Sequence, residues 1–225
     1  MSHSLCNGLA DKFDLVAAVG EQCRELLAAS SRRVEAETGA VFQTAGDRAT
    51  RVLLVQSGSL HVIHSDRAGN RRIVRILGQW DHHGLIEFTL GCPARYRVEA
   101  AEHSVLTEIP FDALESIALQ CPDLQRGLTA ALARKTAESE HLLVSLTSED
   151  VTTRVVSYLL SLPRVSDAGG RALVRLPVTQ VDLASHLGTT PETLSRRLHE
   201  LMDSGAVERT ASRCFLLNEE LLASY

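Results

Sequence analysis

The sequence predicts an α+β protein in two parts joined by a long helix, and three observations predict it. Residues 32–109 are short β-rich runs set off by glycines. Pro122 opens an apolar pattern at helical spacing that holds to about Leu146. Residues 179–202 have the pattern of two short helices around a tight turn. Short strands at this rhythm mean a small antiparallel barrel or sandwich. At about 150 residues per domain, 225 residues make one large domain or two smaller ones.

Composition narrows the class. Hydrophobic residues are 44% and charged residues 23%, which excludes a collagen, a mucin stalk and a disordered acidic tail. The net charge of −5 at first counts against a nucleic-acid partner, because phosphate binding relies on positive charge. Of the 23 basic residues only Lys12 and Lys135 are lysines, so nearly every cation can make forked, two-point hydrogen bonds. No run approaches the roughly 18 apolar residues of a membrane span. Met1 to Asp14 lacks the layout of a signal peptide, so the cytoplasm is the expected compartment. Cys6, Cys23, Cys92, Cys121 and Cys214 are odd in number and dispersed. They are expected to be small buried hydrophobes or idle thiols rather than a disulfide framework or a metal site.

Along the chain, Leu15, Val16, Val19, Cys23, Leu26 and Leu27 recur at helical spacing and predict a helix near 21–30. Strands are expected at 40–42, 52–55, 60–63, 73–76, 96–98 and 105–109, with a hairpin turn at Asp66–Asn70. A short helix suits Phe111 to Leu119. Pro122 is placed to open the long helix, since proline is tolerated in a first turn. Leu124, Leu128, Ala131, Leu132, Leu142, Leu143 and Leu146 form its apolar stripe, which suits either a dimer seam or packing on its own domain. Thr147 to Asp150 is a capping signature and a domain boundary. The expected division is 1–121, 122–147 and 148–225. Val151 to Leu162 is an apolar helix, Asp167 to Gly170 a loop, and Leu173 to Leu176 a strand.

The most specific stretch is Thr179 to Met202. Ala184 is the small residue where two helices meet, and Gly188 permits the positive φ of the turn. Thr190 caps the second helix and Pro191 fills its first position. Leu194, Leu198, Leu201 and Met202 share one side of that helix. Glu192, Ser195, Arg196 and His199 cluster on the other. Such a charged face is either merely solvated or shaped for the major groove of double-stranded DNA. There arginine donates twice to guanine, glutamate accepts from cytosine, and serine serves base or phosphate. The alanine, glycine and cap in register favour DNA reading. Val207 to Thr210 and Cys214 to Leu217 make a wing whose Arg209 and Arg213 suit phosphate contacts. Thr190, Arg197 and His199 are expected as backbone or flanking contacts.

With these residues the sequence resembles the CRP/FNR family of bacterial transcription regulators, from about residue 13 to 222. The punctuation Gly39-Ala40-Val41-Phe42-Gln43-Thr44-Ala45-Gly46-Asp47 and Leu54-Val55-Gln56-Ser57-Gly58-Ser59-Leu60 matches the family's β-roll. The resemblance implies an N-terminal antiparallel β-roll of the cyclic-nucleotide-binding (jelly-roll) type, a long dimerisation helix and a C-terminal winged helix-turn-helix. It further implies a homodimer and a contact with RNA polymerase. Glu192, Ser195 and Arg196 match the E-x-x-S-R pattern of FNR-like members, which implies an inverted repeat related to TTGAT-N4-ATCAA. Pro191 and Ser195 depart from the CRP-like pattern. Activation or repression depends on where such a site lies relative to a promoter.

The front half is expected to receive a small-molecule or gas signal. Where nucleotide-binding members have a Gly-Glu pair and then Arg-Ser or Arg-Thr, this chain has Gly78 to Gly84 and Pro93-Ala94-Arg95-Tyr96. The glutamate is missing, and Arg95 is shifted by one residue, which in a strand would turn it to the other face. Cyclic AMP is therefore not expected. Cys6 and Cys23 lack the close spacing of an iron–sulfur cluster. His82, His83 and Arg95 are the candidate effector residues. Adjacent histidines in a loop are expected at the surface; the alternative is that one supplies an axial ligand to haem, a route to sensing nitric oxide or carbon monoxide. Oxidation of Cys92 or Cys121 is a further option. No metal site is otherwise indicated.

Two other classes compete. An enzyme lacks support: there is no G-x-S-x-G, Walker loop, H-E-x-x-H or G-x-G-x-x-G. A ligand-binding module acting on a protein partner through a degenerate winged helix is disfavoured by the intact Glu192, Ser195, Arg196 face.

Overall fold

The computed structural model describes residues 13, 19–66, 68–69, 71–166 and 172–225. The expectations for Cys6, Leu15, Val16, Asn70 and Asp167 to Gly170 lie outside those residues. The described chain forms two compact units, one reaching Ser139 and the other starting at Glu140.

In the first unit, α1 (Glu21–Ser30) leads into β1 (Arg32–Ala36), β2 (Val41–Gln43), β3 (Arg51–Ser57), β4 (Leu60–Ser65), β5 (Arg71–Leu77) and β6 (His82–His83). Then follow α2 (Leu85–Leu90), β7 (Arg97–Ala100), β8 (Ser104–Pro110), α3 (Phe111–Gln120) and the long α4 (Pro122–Ser148). The strands make two antiparallel sheets, ordered β1-β8-β3-β6 and β2-β7-β4-β5. This is the β-roll.

The unbroken apolar run Val52 to Val55 in β3 is explained by two cores. Leu53 and Val55 face a cluster with Leu60, Val62, Leu77, Val98 and Leu106 inside the roll. Val52 and Leu54 point the other way, into a cluster with Cys23, Leu27, Leu114, Ile117, Leu124 and Leu128 from the helices. Alternation with period two thus persists, but both faces are covered.

Five elements escaped the sequence reading: β1, β6, α2 and, in the second unit, β9 (Arg164–Ser166) and α8 (Glu219–Leu222). Helix α2 is six residues long, too short to show a period. It begins at Gly84, whose φ is 101° and where a Cβ would lie 2.6 Å from the Arg51 carbonyl oxygen. Only glycine allows the chain to pass β3 that closely.

Helix α4 is one 27-residue element. Its Leu124, Leu128 and Ala131 are buried in the core of their own unit. This part of the stripe packs on its own unit, the second of the two uses that the sequence left open. Further along, Leu143 is 67% and Val144 60% exposed.

In the second unit α5 (Val151–Ser161) is followed by β9 (Arg164–Ser166), β10 (Ala172–Arg175), α6 (Gln180–His186), α7 (Pro191–Asp203), β11 (Val207–Ala211), β12 (Cys214–Leu217) and α8 (Glu219–Leu222). The sheet runs β11-β12-β10-β9. Among the described residues no helix is long and apolar enough to cross a membrane.

Candidate nucleic-acid interface and sensor residues

Helix α7 is oriented by its leucines. Leu194, Leu198 and Leu201 are buried, packing the helix against α5, α6 and β11. The turn before it contains Gly188 at φ 63°. Ala184 is fully buried, so α6 can approach closely. The Thr190 side chain accepts a hydrogen bond from the Thr193 backbone N–H at 3.2 Å, satisfying one of the orphan amides of the first turn. These contacts leave α7 one outward face.

On that face Glu192, Arg196 and His199 are exposed and Ser195 is half-buried. Hydrogen bonds from its own backbone N–H and then the Thr190 side chain hold the Glu192 carboxyl below the usual carboxylate range. It therefore stays ionised, an acceptor, at neutral pH. His199 Nδ1 lies 2.7 Å from the Ser195 carbonyl oxygen, which can only accept. Nδ1 therefore carries a proton, and Nε2 is the nitrogen left for another partner. Arg197 is half-buried and its guanidinium donates to Glu200 at 2.7 Å, which raises its already high pKa.

In the wing, Arg209 is exposed on β11. Arg213 takes the left-handed backbone, φ 66°, at the turn, and its carbonyl accepts from Leu176 N–H at 2.8 Å. A residue missed from sequence holds the motif from behind. Arg154, 8% exposed within α5, donates from Nε to the Leu187 carbonyl at 3.1 Å and from Nη1 to the Glu149 carbonyl at 2.7 Å. The one charged residue within Val151 to Leu162 was the available signal.

In the first unit the histidines are not in a surface loop. His82 and His83 are buried, 9% and 5% exposed, as strand β6 on the edge of β3. Two residues gave no alternation by which sequence could reveal a strand. His83 pairs with Leu53 and His82 with Leu54, so the two rings follow opposite faces of the sheet. His83 Nε2 is 3.2 Å from the Gln43 amide nitrogen, and its Nδ1 is buried without a hydrogen-bond partner among the described residues. Burial lowers the pKa of each ring to about 4. For His82 the Lys135 and Arg75 charges add to the effect. Both are therefore neutral imidazoles at physiological pH.

Around them lie groups that sequence reasoning missed. Glu87 of α2 is buried. Arg75 of β5 is half-buried, and desolvation lowers its pKa. Lys135 of α4 donates to Asp81 at 3.2 Å. Arg95 is not in a strand: it lies exposed in the loop before β7, its guanidinium 5.6 Å from the Tyr96 ring centroid. The expected face reversal therefore does not apply to it. Among the described residues no group of three or more His, Cys, Asp or Glu could hold a metal ion.

Comparison with known proteins bears on both units. The cyclic nucleotide-binding domain matches residues 33–121, and the Crp-like helix-turn-helix domain matches residues 153–225. The chain is 26% identical over 220 residues to the probable transcriptional regulator flp of Lacticaseibacillus casei, covering 98% of this chain and 97% of that one. It is 23% identical over 194 residues to the fumarate nitrate reduction regulatory protein of Klebsiella oxytoca, covering 85% and 77%. The structure of FixK2 from Bradyrhizobium japonicum has the same fold, with a TM-score of 0.76 at 22% identity over 86% of this chain and 96% of that one. The relatives are regulators rather than enzymes. A cyclic-nucleotide-binding domain followed by a Crp-like helix-turn-helix, shared with such relatives over most of their length, makes this chain a DNA-binding transcription regulator of the CRP/FNR family.

Proposed function

We propose that two copies of this chain, joined through the exposed part of α4, read an inverted repeat related to TTGAT-N4-ATCAA. The observation that carries the reading is the outward face of α7: Glu192, Ser195 and Arg196 opposite Leu194, Leu198 and Leu201. Arg196 donates two hydrogen bonds to a guanine, Glu192 accepts from a cytosine, and Ser195 serves a base or phosphate. Thr190, Arg197, His199, Arg209 and Arg213 hold the flanking backbone, and RNA polymerase is the partner in transcription. The protein acts in the cytoplasm.

The N-terminal unit receives the signal. Cyclic AMP and an iron–sulfur cluster are disfavoured by the residues present, which leaves a gas bound at haem, a redox change or another small ligand. Neutral, buried His83 with an unpartnered Nδ1 fits the donor that haem needs, and His82, on the opposite face, is the alternative ligand. A bound haem would supply an iron that takes nitric oxide or carbon monoxide. Adding haem to the purified protein should give a Soret band that shifts with nitric oxide and is lost in His83→Ala; a flat titration ends the haem reading. The DNA reading is tested by Arg196→Ala, which should weaken preference for the repeat and relax discrimination at one base pair while circular dichroism is unchanged. A variant that keeps the preference overturns the assignment.

A further inference from the structure

A cleft of about 570 Å³ opens in the first unit where the end of α1, the starts of β1 and β3, the end of β8 and the start of α3 come together. None of the candidate effector residues lines it. Glu108 of β8 does, and it is only 5% exposed. Arg32 stands directly opposite Glu108 on β1 and donates to its Oε2 at 2.7 Å. Arg51 of β3 donates to its Oε1 at 2.9 Å. Each guanidinium uses one nitrogen in this way, and its other nitrogens have no hydrogen-bond partner among the described residues. Arg48, exposed in the loop before β3, lines the same cleft. Its side chain has no ion-pair or hydrogen-bond partner among the described residues.

We propose that this cleft binds a small organic anion, whose carboxylate or phosphate group is held by Arg32, Arg48 and Arg51. Both groups present paired oxygens that match the guanidinium fork. Three arginines and two acids, Glu108 and Asp112, line the cleft, so it keeps one net positive charge before a ligand arrives. Each Glu108 oxygen already faces a guanidinium, which screens that carboxylate from an incoming anion. A triad built only to join β1, β3 and β8 is complete with Arg32, Glu108 and Arg51. It has no use for a third arginine, so Arg48 is the residue that calls for a ligand.

The surroundings suit such a ligand. Glu108 holds two of the three forks in place, so less side-chain freedom is lost when an anion binds. Pro110, Phe111 and Asp112 bring the N-terminal end of α3 into the wall, and the Pro110 cap supplies no side-chain hydrogen bond. The partial positive charge of that helix end adds to the arginines. Asp112 offsets part of it, accepting from Ala113 N–H at 2.9 Å. Ala29, Ala49 and Phe111 give the cleft an apolar side. Its volume lies in the range of small-molecule sites, roughly 300–1,000 Å³, and is more than a bare inorganic ion needs. The anion therefore carries a carbon body.

Calorimetric titration of the full chain, in a chloride buffer of fixed ionic strength, tests this with glycerol 3-phosphate and glutarate as probes. At least one should bind saturably, one molecule per chain, with a Kd below about 1 mM. Binding of the first alone assigns a phosphoryl group, of the second alone a carboxylate, and of both the charge they share. Arg48→Gln should weaken the better probe by at least about tenfold, through loss of a charge-assisted contact. Circular dichroism and the denaturation midpoint should not move, because the Arg48 side chain is exposed and unpaired. Arg196→Ala should bind the probe as the parent does, which separates this site from DNA reading on α7. Arginine modification with phenylglyoxal then locates the probe. Arg48 should be protected, while exposed Arg72 of β5 stays as reactive as before. No saturable binding of either probe, undiminished binding in Arg48→Gln, or protection at Arg196 in place of Arg48 overturns the proposal.

Discussion

At the scale of single residues, Arg196 and His83 are placed by opposite forces. Arg196 is left outside because the leucines of α7 take the inside. Removing its side chain costs no packing and should cost binding alone. Arg196→Ala is expected to weaken affinity for the repeat by roughly 1–3 kcal/mol and to relax discrimination at one base pair. Fluorescence anisotropy against a panel of single-base changes measures both. Loss spread evenly over all sequences would make Arg196 a phosphate contact instead.

The histidines are buried where water cannot stabilise their charge. An unfolded imidazole protonates near pH 6.5, the buried ones only near 4. Between those values the unfolded chain binds more protons. Stability is therefore retained above about pH 6.5 and falls as pH drops toward 4. Urea midpoints between pH 7 and 4 should decline less steeply in His82→Gln than in the parent. Superimposable curves would place the acid sensitivity elsewhere.

At the scale of elements, the second unit depends on two polar devices. Thr190 caps α7, and Thr190→Ala should cost about 1 kcal/mol of unfolding free energy while Thr190→Ser is nearly neutral. Arg154 satisfies two backbone carbonyls from a buried position. Arg154→Met should cost roughly 1–3 kcal/mol, since it leaves those acceptors unpaired. Denaturant unfolding measures both variants. An Arg154→Met protein as stable as the parent would mean that water replaces the guanidinium.

The helix-turn-helix was legible because local rules fix it: cap, glycine, small residue and leucine period all fall within 24 residues. The sensor was not, because its residues come together by long-range pairing. Gln43 reaches His83 across 40 residues, and Lys135 reaches Asp81 across 54. No spacing rule announces such contacts. The same holds for β6, which is a strand only because β3 pairs with it.

At the scale of the whole molecule, charge decides how DNA is found. Residues 148–225 hold 8 arginines and 10 acids, so even the DNA-binding half is net acidic. Non-specific attraction should be weak, with affinity resting on base contacts and a few placed arginines. Each contact occurs twice in a dimer. Arg209→Ala or Arg213→Ala should therefore lower the slope of log K against log salt by about 2. Leu143→Glu, at the exposed part of α4, should give monomers in sedimentation and abolish binding to the two-half-site repeat. Dimers that persist in this variant would place the seam elsewhere.

Whether α7 reads a TTGAT half-site is decided by competition between DNA duplexes. One labelled TTGAT-N4-ATCAA duplex is challenged, at fixed salt, with unlabelled copies of itself and of a TGTGA-type inverted repeat. The TTGAT duplex should compete at least tenfold better than the TGTGA-type one, about 1.4 kcal/mol. Equal competition by the two duplexes would contradict it.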